Sequence, residues 1–216
     1  SVAASCLHVS SNLSDFFHRA KVREREAAER IRAHCARTLF LRRKGIVNLV
    51  EVKHEIESLA EAYKAEFETV SACIFEHPEL AYQEVTARDT LCGLLERHGF
   101  SVKKGAGSLE TAFVAEYKSG KPGMTFAFLC EYDALPEIGH ACGHNLIGTS
   151  GAGAGVILRE IMEKYGLGGT LKVLGTPAEE NGSGKITMLE EGIFKGIDMA
   201  LIMHPSDVSM ADDISF

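Results

Sequence analysis

Apolar side chains recur at three- and four-residue steps through residues 53–75, which is the spacing of a helix with one buried face. The apolar positions are Ile56, Leu59, Ala60, Tyr63, Phe67, Val70 and Ile74. Because the residue before a proline is pushed out of the α region, His77 and Pro78 predict the end of this helix. A second helix is predicted over residues 84–98, where a similar spacing is followed by Gly99.

The pattern then changes to short apolar runs bounded by glycine and proline, which predict β-strands. These runs occupy residues 111–117, 124–130, 170–175 and 199–203. The first two are separated by a turn-forming sequence and are predicted to be neighbouring strands. A glycine-rich helix over about residues 145–165 and a short helix over residues 186–191 separate the later runs. Helices that alternate with strands predict an α/β fold.

Residues 1–50 show no clean apolar stripe and are predicted to form a basic, Arg-rich appendage outside the core, either helical or disordered. They hold 10 lysines and arginines against 4 acidic residues, whereas residues 51–216 hold 13 against 26. An acidic body repels the phosphate backbone of nucleic acids. We therefore do not expect the chain to bind nucleic acid.

The overall composition is that of an ordinary globular chain. Its 216 residues are 45% hydrophobic and 25% charged, which predicts one domain with an appendage. The sequence contains no stretch of eighteen or more apolar residues, so no membrane span is predicted. The six cysteines lack the dense, regular spacing of a disulfide framework, which favours a reducing, cytoplasmic setting.

Residues of the types that bind metals follow the predicted strands. Cys142 and His144 come after the second strand and are separated only by Gly143, which permits a sharp backbone path. A thiolate and an imidazole suit zinc or a similar divalent metal. Taken alone, the triplet is better explained as a small buried thiol beside an ordinary histidine.

Two further strand ends carry residues of the same kind. Glu179 and Glu180 follow the strand at residues 170–175, and His204 follows the run at residues 199–203. Consecutive residues of an extended segment point in opposite directions, so one glutamate could ligate while the other transfers protons. The alternatives are a solvated pair of glutamates and a structural histidine. Three consecutive strand ends that each carry a ligand-type residue favour a metal site.

Four segments of the sequence resemble motifs of peptidase family M20. They are HPELAYQE at residues 77–84, DALP at residues 133–136, HACGH at residues 140–144 and PAEE at residues 177–180. The resemblance extends over about residues 55–207. Within the family, the chain resembles the branch of aminoacylases and hippurate-type amidohydrolases. Within that branch, it resembles dipeptidase-like members that act on short peptides with basic C-terminal residues.

The resemblance implies a fold and a set of site residues. The fold would have helices packed on a mixed central β-sheet, as in the catalytic domain of di-zinc exopeptidases. Residues 51–216 would be the N-terminal half of that domain, truncated before the lid domain. The implied metal ligands are Cys142, His144, Glu180 and His204, and Glu179 is the implied general base. The implied cofactor is a pair of divalent ions in the complete active site, Zn²⁺ or else Mn²⁺.

The same resemblance implies an activity and its partners. The complete enzyme would hydrolyse amide bonds in dipeptides or N-acyl amino acids, in the cytoplasm and without binding a membrane, and could form a homodimer through its lid domain. A further histidine ligand would come from a later segment, so the 216-residue chain is itself expected to be inactive. The alternative is a catalytically silent protein that acts as a binding or regulatory module.

Overall fold

Helices and strands alternate along residues 48–206, the part of the chain that the computed structural model describes. The helices are α1 (Leu49–Glu76), α2 (Val85–Arg97), α3 (His144–Lys164), α4 (Glu179–Gly182) and α5 (Gly184–Glu190). The strands are β1 (Ser101–Ala106), β2 (Leu109–Lys118), β3 (Thr125–Cys130), β4 (Thr170–Gly175) and β5 (Met199–Leu201). None of the described helices is both long and apolar enough to cross a membrane.

The strands form one mixed sheet in the order β1-β2-β4-β3-β5. β2 pairs antiparallel with both β1 and β4, whereas β3 is parallel to its neighbours β4 and β5. The predicted α/β class with a mixed central sheet is therefore confirmed. Because β3, β4 and β5 are parallel, their carboxyl ends lie at the same edge of the sheet, where α/β folds commonly bind ligands.

The main hydrophobic core joins three helices to the sheet. It includes Ile74 of α1, Leu91 of α2, Val156 of α3 and the strand residues Phe113 and Val173, all of them buried. Burial of apolar side chains on this scale is the dominant favourable term in folding. A smaller cluster forms around Met188 of α5, so α5 is also anchored by apolar contact.

Helix α3 lies unusually close to the sheet because it presents glycines to it. A Cβ atom added at Gly151 would lie 2.7 Å from the sulfur of Cys130, and one added at Gly155 would lie 2.5 Å from a methyl group of Val173. No side chain fits in these gaps. The glycine-rich sequence therefore brings the helix, which begins at His144, close to the ends of β3 and β4.

Most predicted elements agree with the structure to within a few residues, but one strand was missed and one strand pairing is wrong. β1 was not predicted, because this edge strand is mostly exposed and has few apolar residues. The expected pairing of β2 with β3 is wrong, because β4 lies between them. Hydrogen bonds from Ser119 N to Gly169 O and from Gly169 N to Lys121 O tie the link between β2 and β3 to the residues just before β4.

The predicted boundary between an appendage and the main domain lies near residue 50. Helix α1 begins at Leu49, so the compact unit that contains the sheet already includes residues 49 and 50. Residues 1–47 lie outside the described residues. The basic appendage therefore stays a prediction.

Candidate metal centre

Cys142 and His144 reach the carboxyl edge of the sheet through a sharp turn at Gly143. The backbone of Gly143 is left-handed, with φ of 82°, and the next residue begins α3. A Cβ atom at Gly143 would also lie 3.0 Å from the ring of Pro205, so a side chain is disfavoured on both counts. This turn places Cys142 beside the segment that follows β5 and leaves the side chain of His144 fully buried.

Three of the predicted residues form a first set of potential ligands. One donor atom from each of Cys142, His144 and His204 lies within 4.8 Å of the other two. The sulfur of Cys142 is 3.5 Å from Nε2 of His204. Nδ1 of His204 is 2.9 Å from the carbonyl oxygen of Pro205, so Nδ1 carries the proton and Nε2 presents its lone pair towards Cys142.

A second set shares His144 and includes both glutamates. Donor atoms of His144, Glu179 and Glu180 also lie within 4.8 Å of one another. The expected extended conformation of the glutamate pair is wrong, because the two residues begin the short helix α4. They nevertheless differ in environment. The Glu180 side chain is 24% exposed with Oε1 3.5 Å from His144 Nε2, whereas Glu179 is 38% exposed.

Asp133, at the start of the DALP segment, links the two sets. Its Oδ1 accepts a hydrogen bond from Nδ1 of His144 at 2.9 Å, and its Oδ2 accepts one from the backbone N–H of Glu180 at 3.0 Å. Burial alone would raise the pKa of Asp133, but these hydrogen bonds lower it below the usual value. The ionised carboxylate therefore fixes the ring of His144 with Nε2 facing the site. In the sequence, Asp133 was marked by the DALP segment and by its position after a strand, but no role was assigned to it.

Glu131 and Lys185 also contact the centre, and the sequence assigned a role to neither. Oε2 of the buried Glu131 is 3.6 Å from Nε2 of His144. Nζ of Lys185, on α5, donates to the other oxygen of Glu131 and lies 3.9 Å from Glu179. Lys185 therefore supplies a positive charge among several carboxylates. No spacing in the sequence relates Lys185 to Glu131, so only the fold reveals this contact.

Burial acts in opposite directions on the pKa values of the thiol and the buried imidazole, whereas the neighbouring carboxylates raise both. Burial raises the pKa of Cys142 to about 11, and the neighbouring Glu180 adds to the rise. Burial alone would lower the pKa of His144, but Asp133 and the nearby glutamates raise it above the usual value. Both shifts favour the protonated forms of the two groups. A metal ion would have to displace those protons on binding.

The donor set fits a divalent transition metal. Within the described residues, Nε2 of His144 is buried and has no hydrogen-bond partner, and such atoms call for an explanation in a native structure. A metal ion would satisfy this nitrogen. A thiol, two imidazoles and carboxylates, arranged in two sets that share His144, are ligand types that suit zinc. That Cys142, His144, Glu180 and His204 act as ligands stays a prediction.

Known hydrolases are similar to a large part of this chain. Residues 127–214 match the sequence model of "Peptidase family M20/M25/M40". The Xaa-Arg dipeptidases of mouse and human are each 42% identical to it, over 153 and 159 residues that make up 66% of this chain. One of the polypeptides of the p-aminobenzoyl-glutamate hydrolase of Escherichia coli is 37% identical over 72% of this chain. The chain spans only 35% or 36% of the length of each of these relatives.

The solved structures that resemble this chain include a member of the same family. The YXEP protein of Bacillus subtilis, described as a dinuclear metal-binding peptidase of the M20 family, superposes with a TM-score of 0.57 at 28% identity, over 63% of this chain and 41% of that one. A putative aminohydrolase from Staphylococcus aureus has the same TM-score at 25% identity, over 68% of this chain and 41% of its own. The described fold is thus an α/β fold that this chain shares with these proteins. The chain is therefore similar to peptidase family M20 in both sequence and fold.

Proposed function

We propose that the protein containing this chain is a metal-dependent hydrolase that cleaves amide bonds in dipeptides or N-acyl amino acids. The observation that carries the proposal is the convergence of ligand-type side chains at the carboxyl edge of β3, β4 and β5. Cys142, His144 and His204 form one set of donors, and His144 forms a second with Glu179 and Glu180. Relatives named as dipeptidases and hydrolases support the same conclusion.

In this proposal Cys142, His144, Glu180 and His204 hold divalent metal, Zn²⁺ or Mn²⁺, with two ions in the complete site. When bound, such a metal polarises the amide carbonyl and makes water acidic enough to deprotonate near neutral pH. Asp133 orients His144 through its hydrogen bond to Nδ1. The carboxylate of Glu180 is held close to His144 because Asp133 also accepts a hydrogen bond from its backbone.

Glu179 is the proposed general base. A carboxylate that ligates a metal is committed to it, whereas a base must remain free to accept and release a proton. Glu179 fits the second role, because its side chain is the more exposed of the two glutamates and faces Lys185. It would take a proton from the attacking water and deliver it to the nitrogen of the leaving amine.

The proposed substrate is a dipeptide with a basic C-terminal residue. The mouse and human relatives named Xaa-Arg dipeptidase have the higher sequence identity to this chain, at 42% against 37% for the relative named for p-aminobenzoyl-glutamate, although the latter aligns over more residues. We further propose a cytoplasmic location, because Cys142 has to stay a reduced thiol in order to ligate. A homodimer of the complete protein also stays a prediction.

The test is hydrolysis by the full-length protein after it has been stripped of metal and reloaded with Zn²⁺ or Mn²⁺. We expect cleavage of alanyl-arginine, its loss on treatment with a chelator, and its return when metal is added. Faster cleavage of p-aminobenzoyl-glutamate would instead indicate that the substrates are acyl-glutamates. Failure of the loaded protein to cleave either compound, or N-acetylcysteine, would contradict the function and favour a silent binding module. The 216-residue chain, assayed beside it, tests the expectation that this chain is inactive.

A further inference from the structure

Glu84 is a buried carboxylic acid that the proposed chemistry does not use. Its side chain is completely buried, at 0% exposure. Oε1 of Glu84 accepts a hydrogen bond of 2.8 Å from the backbone N–H of Ala178, which lies 94 residues further along the chain. Ala178 directly precedes Glu179 and Glu180. The contact therefore joins the start of α2 to the turn that carries both glutamates of the centre.

That turn has an unfavourable backbone at both ends. We call residues 178–183 the glutamate turn. Ala178 has φ of 57° and Ser183 has φ of 54°, so both are left-handed although neither is glycine. Such conformations are unfavourable for these residues and persist only where the surroundings impose them. The hydrogen bond from Ala178 to Glu84 is one such constraint.

Tyr82 contacts the far end of the glutamate turn. Its hydroxyl group donates a hydrogen bond to the carbonyl oxygen of Gly182. The tyrosine ring also lies so close that a Cβ atom added at Gly182 would be 2.5 Å from it. Glu84 and Tyr82, two residues apart in one loop, thus contact the beginning and the end of the same turn.

The loop that carries Tyr82 and Glu84 is itself fixed. The carboxylate of Glu79 accepts hydrogen bonds from the backbone N–H groups of Thr86 and Ala87, at 2.9 and 3.0 Å, in the first turn of α2. The carbonyl oxygen of Glu79 accepts another from Ala134 N, the residue after Asp133. A loop held at both of its ends can transmit its position to the turn that it contacts.

A buried carboxyl group at this position destabilises the fold, unless one of its oxygens accepts a hydrogen bond that the fold requires. Burial raises the pKa of Glu84, and the hydrogen bonds to its carboxyl group, that of Ala178 among them, offset the rise only in part. Burying a carboxyl group without full hydrogen bonding is unfavourable, and an apolar side chain of similar size would avoid that cost. Such a side chain would leave the N–H of Ala178 buried without an acceptor. The acceptor atom is therefore the feature of Glu84 that matters.

We propose that Glu84 is a positioning residue which, together with Tyr82, holds the glutamate turn so that Glu179 and Glu180 face His144. Asp133 binds the N–H of Glu180, and Glu84 binds the N–H two residues earlier. Two carboxyl groups from separate segments therefore fix the backbone on either side of Glu179. The roles of base and ligand in this inference rest on the proposed function, but the geometric constraint does not.

Hydrogen exchange tests the constraint directly. Glu84→Gln keeps a carbonyl acceptor for Ala178, whereas Glu84→Met has a similar size and no such acceptor. In the metal-free full-length protein, amides of the glutamate turn should exchange about 10-fold faster or more in Glu84→Met and within about threefold of wild type in Glu84→Gln. Equal exchange in the two variants, or wild-type exchange in Glu84→Met, would overturn the proposal.

Kinetics provide a second test, in the metal-loaded protein. Glu84→Met should lower kcat for the dipeptide by about 10- to 100-fold with a much smaller change in KM, and Glu84→Gln should retain most of the wild-type kcat.

A wild-type protein that hydrolyses nothing would contradict the proposed function, while the exchange experiment would still decide the positioning role. If Glu84→Met does not fold, Tyr82→Phe at the exposed side of the turn replaces it. Unchanged exchange of the turn in that variant would overturn the proposal.

Discussion

At the scale of single residues, Asp133 determines how the neighbouring donor atoms can be used. One oxygen holds the ring of His144, and the other holds the backbone of Glu180. The partners lie 11 and 47 residues away in the sequence, so no local pattern could have predicted the link. Ligand types can be read from residue identity at strand ends. Their orientation depends on side-chain geometry that only the folded chain defines.

The two glutamates should respond differently to loss of charge. In the full-length protein, Glu179→Gln should leave the metal content nearly unchanged and lower turnover by about 100-fold or more, because a base is lost but no ligand. Glu180→Gln is the matched variant and should lower metal content as well as turnover. Metal analysis beside dipeptide hydrolysis measures both effects. Loss of metal in Glu179→Gln with retained turnover would show that Glu179 is the metal ligand and Glu180 the general base.

At the scale of elements, helix α3 positions the centre by its close contact with the sheet. Two groups of β3 leave no room for a Cβ atom at Gly151, the carbonyl oxygen of Leu129 and the sulfur of Cys130, each 2.7 Å away. Any side chain there would push α3 away from β3. Since α3 begins at His144, a shift of this helix would also displace a proposed ligand.

Gly151→Ala should therefore destabilise the protein by about 1–3 kcal/mol, the usual cost of overpacking a tight interior. Gly93→Ala, in the middle of α2, is the control, because the nearest atom to its added Cβ is 3.5 Å away. That variant should be neutral or more stable by up to about 1 kcal/mol. Chemical denaturation monitored by circular dichroism compares the two. Equal stability of Gly151→Ala and wild type would show that the helix can move without cost.

Helices α1 and α2 are linked by a cluster of ionisable side chains. The carboxylate of Glu66 accepts hydrogen bonds from Arg97 at 2.9 and 3.1 Å, and its other oxygen lies 3.0 Å from Nε2 of His98. Chiefly through the hydrogen bond to His98, this cluster lowers the pKa of Glu66. The folded protein then binds this proton less readily than the unfolded chain does. The stabilisation is present above the ordinary glutamate pKa and is lost as the pH falls through the lower folded value.

Glu66→Gln should accordingly lower the melting temperature at pH 7 by a small amount. The change should correspond to about 1 kcal/mol or less, because Arg97 is largely exposed and water screens the pair. The difference from wild type should shrink as the pH falls below 4.5, the ordinary pKa of a glutamate. Glu61→Gln, at an exposed glutamate of the same helix, should have a smaller effect at pH 7. A difference for Glu66→Gln that grows in acid would contradict the assignment.

Periodicity predicted the long elements but not how they pair. The helices near residues 53–75, 84–98 and 145–165 and the strand β4 were found because their apolar spacing is regular. The position of β4 between β2 and β3 was not, because backbone pairing over long distances leaves no mark in local hydrophobicity. The short helix α4 was also missed, since it consists of four residues without an apolar face.

At the scale of the whole molecule, the proposed ligands join segments that are distant in the sequence. His144 begins α3, Glu180 lies in α4, and His204 follows β5. Their convergence results from parallel β3, β4 and β5, which bring three chain segments to one edge. The sequence motifs predicted which residues would meet. The sheet order explains why they meet, and that order could not be derived from the motifs.

The last prediction follows from this convergence, because a metal bound by ligands from separate segments binds the folded chain more tightly than the unfolded one. Ligand at 100 times its Kd stabilises the folded state by about 2.7 kcal/mol. Zn²⁺ should therefore raise the melting temperature of the metal-free full-length protein, and a chelator should reverse the rise. His204→Ala should lose most of the rise, because β5 would no longer be tied to α3. His54→Ala, at an exposed histidine of α1, should keep it. An equal rise in both variants would show that His204 is not a ligand and that the metal binds elsewhere.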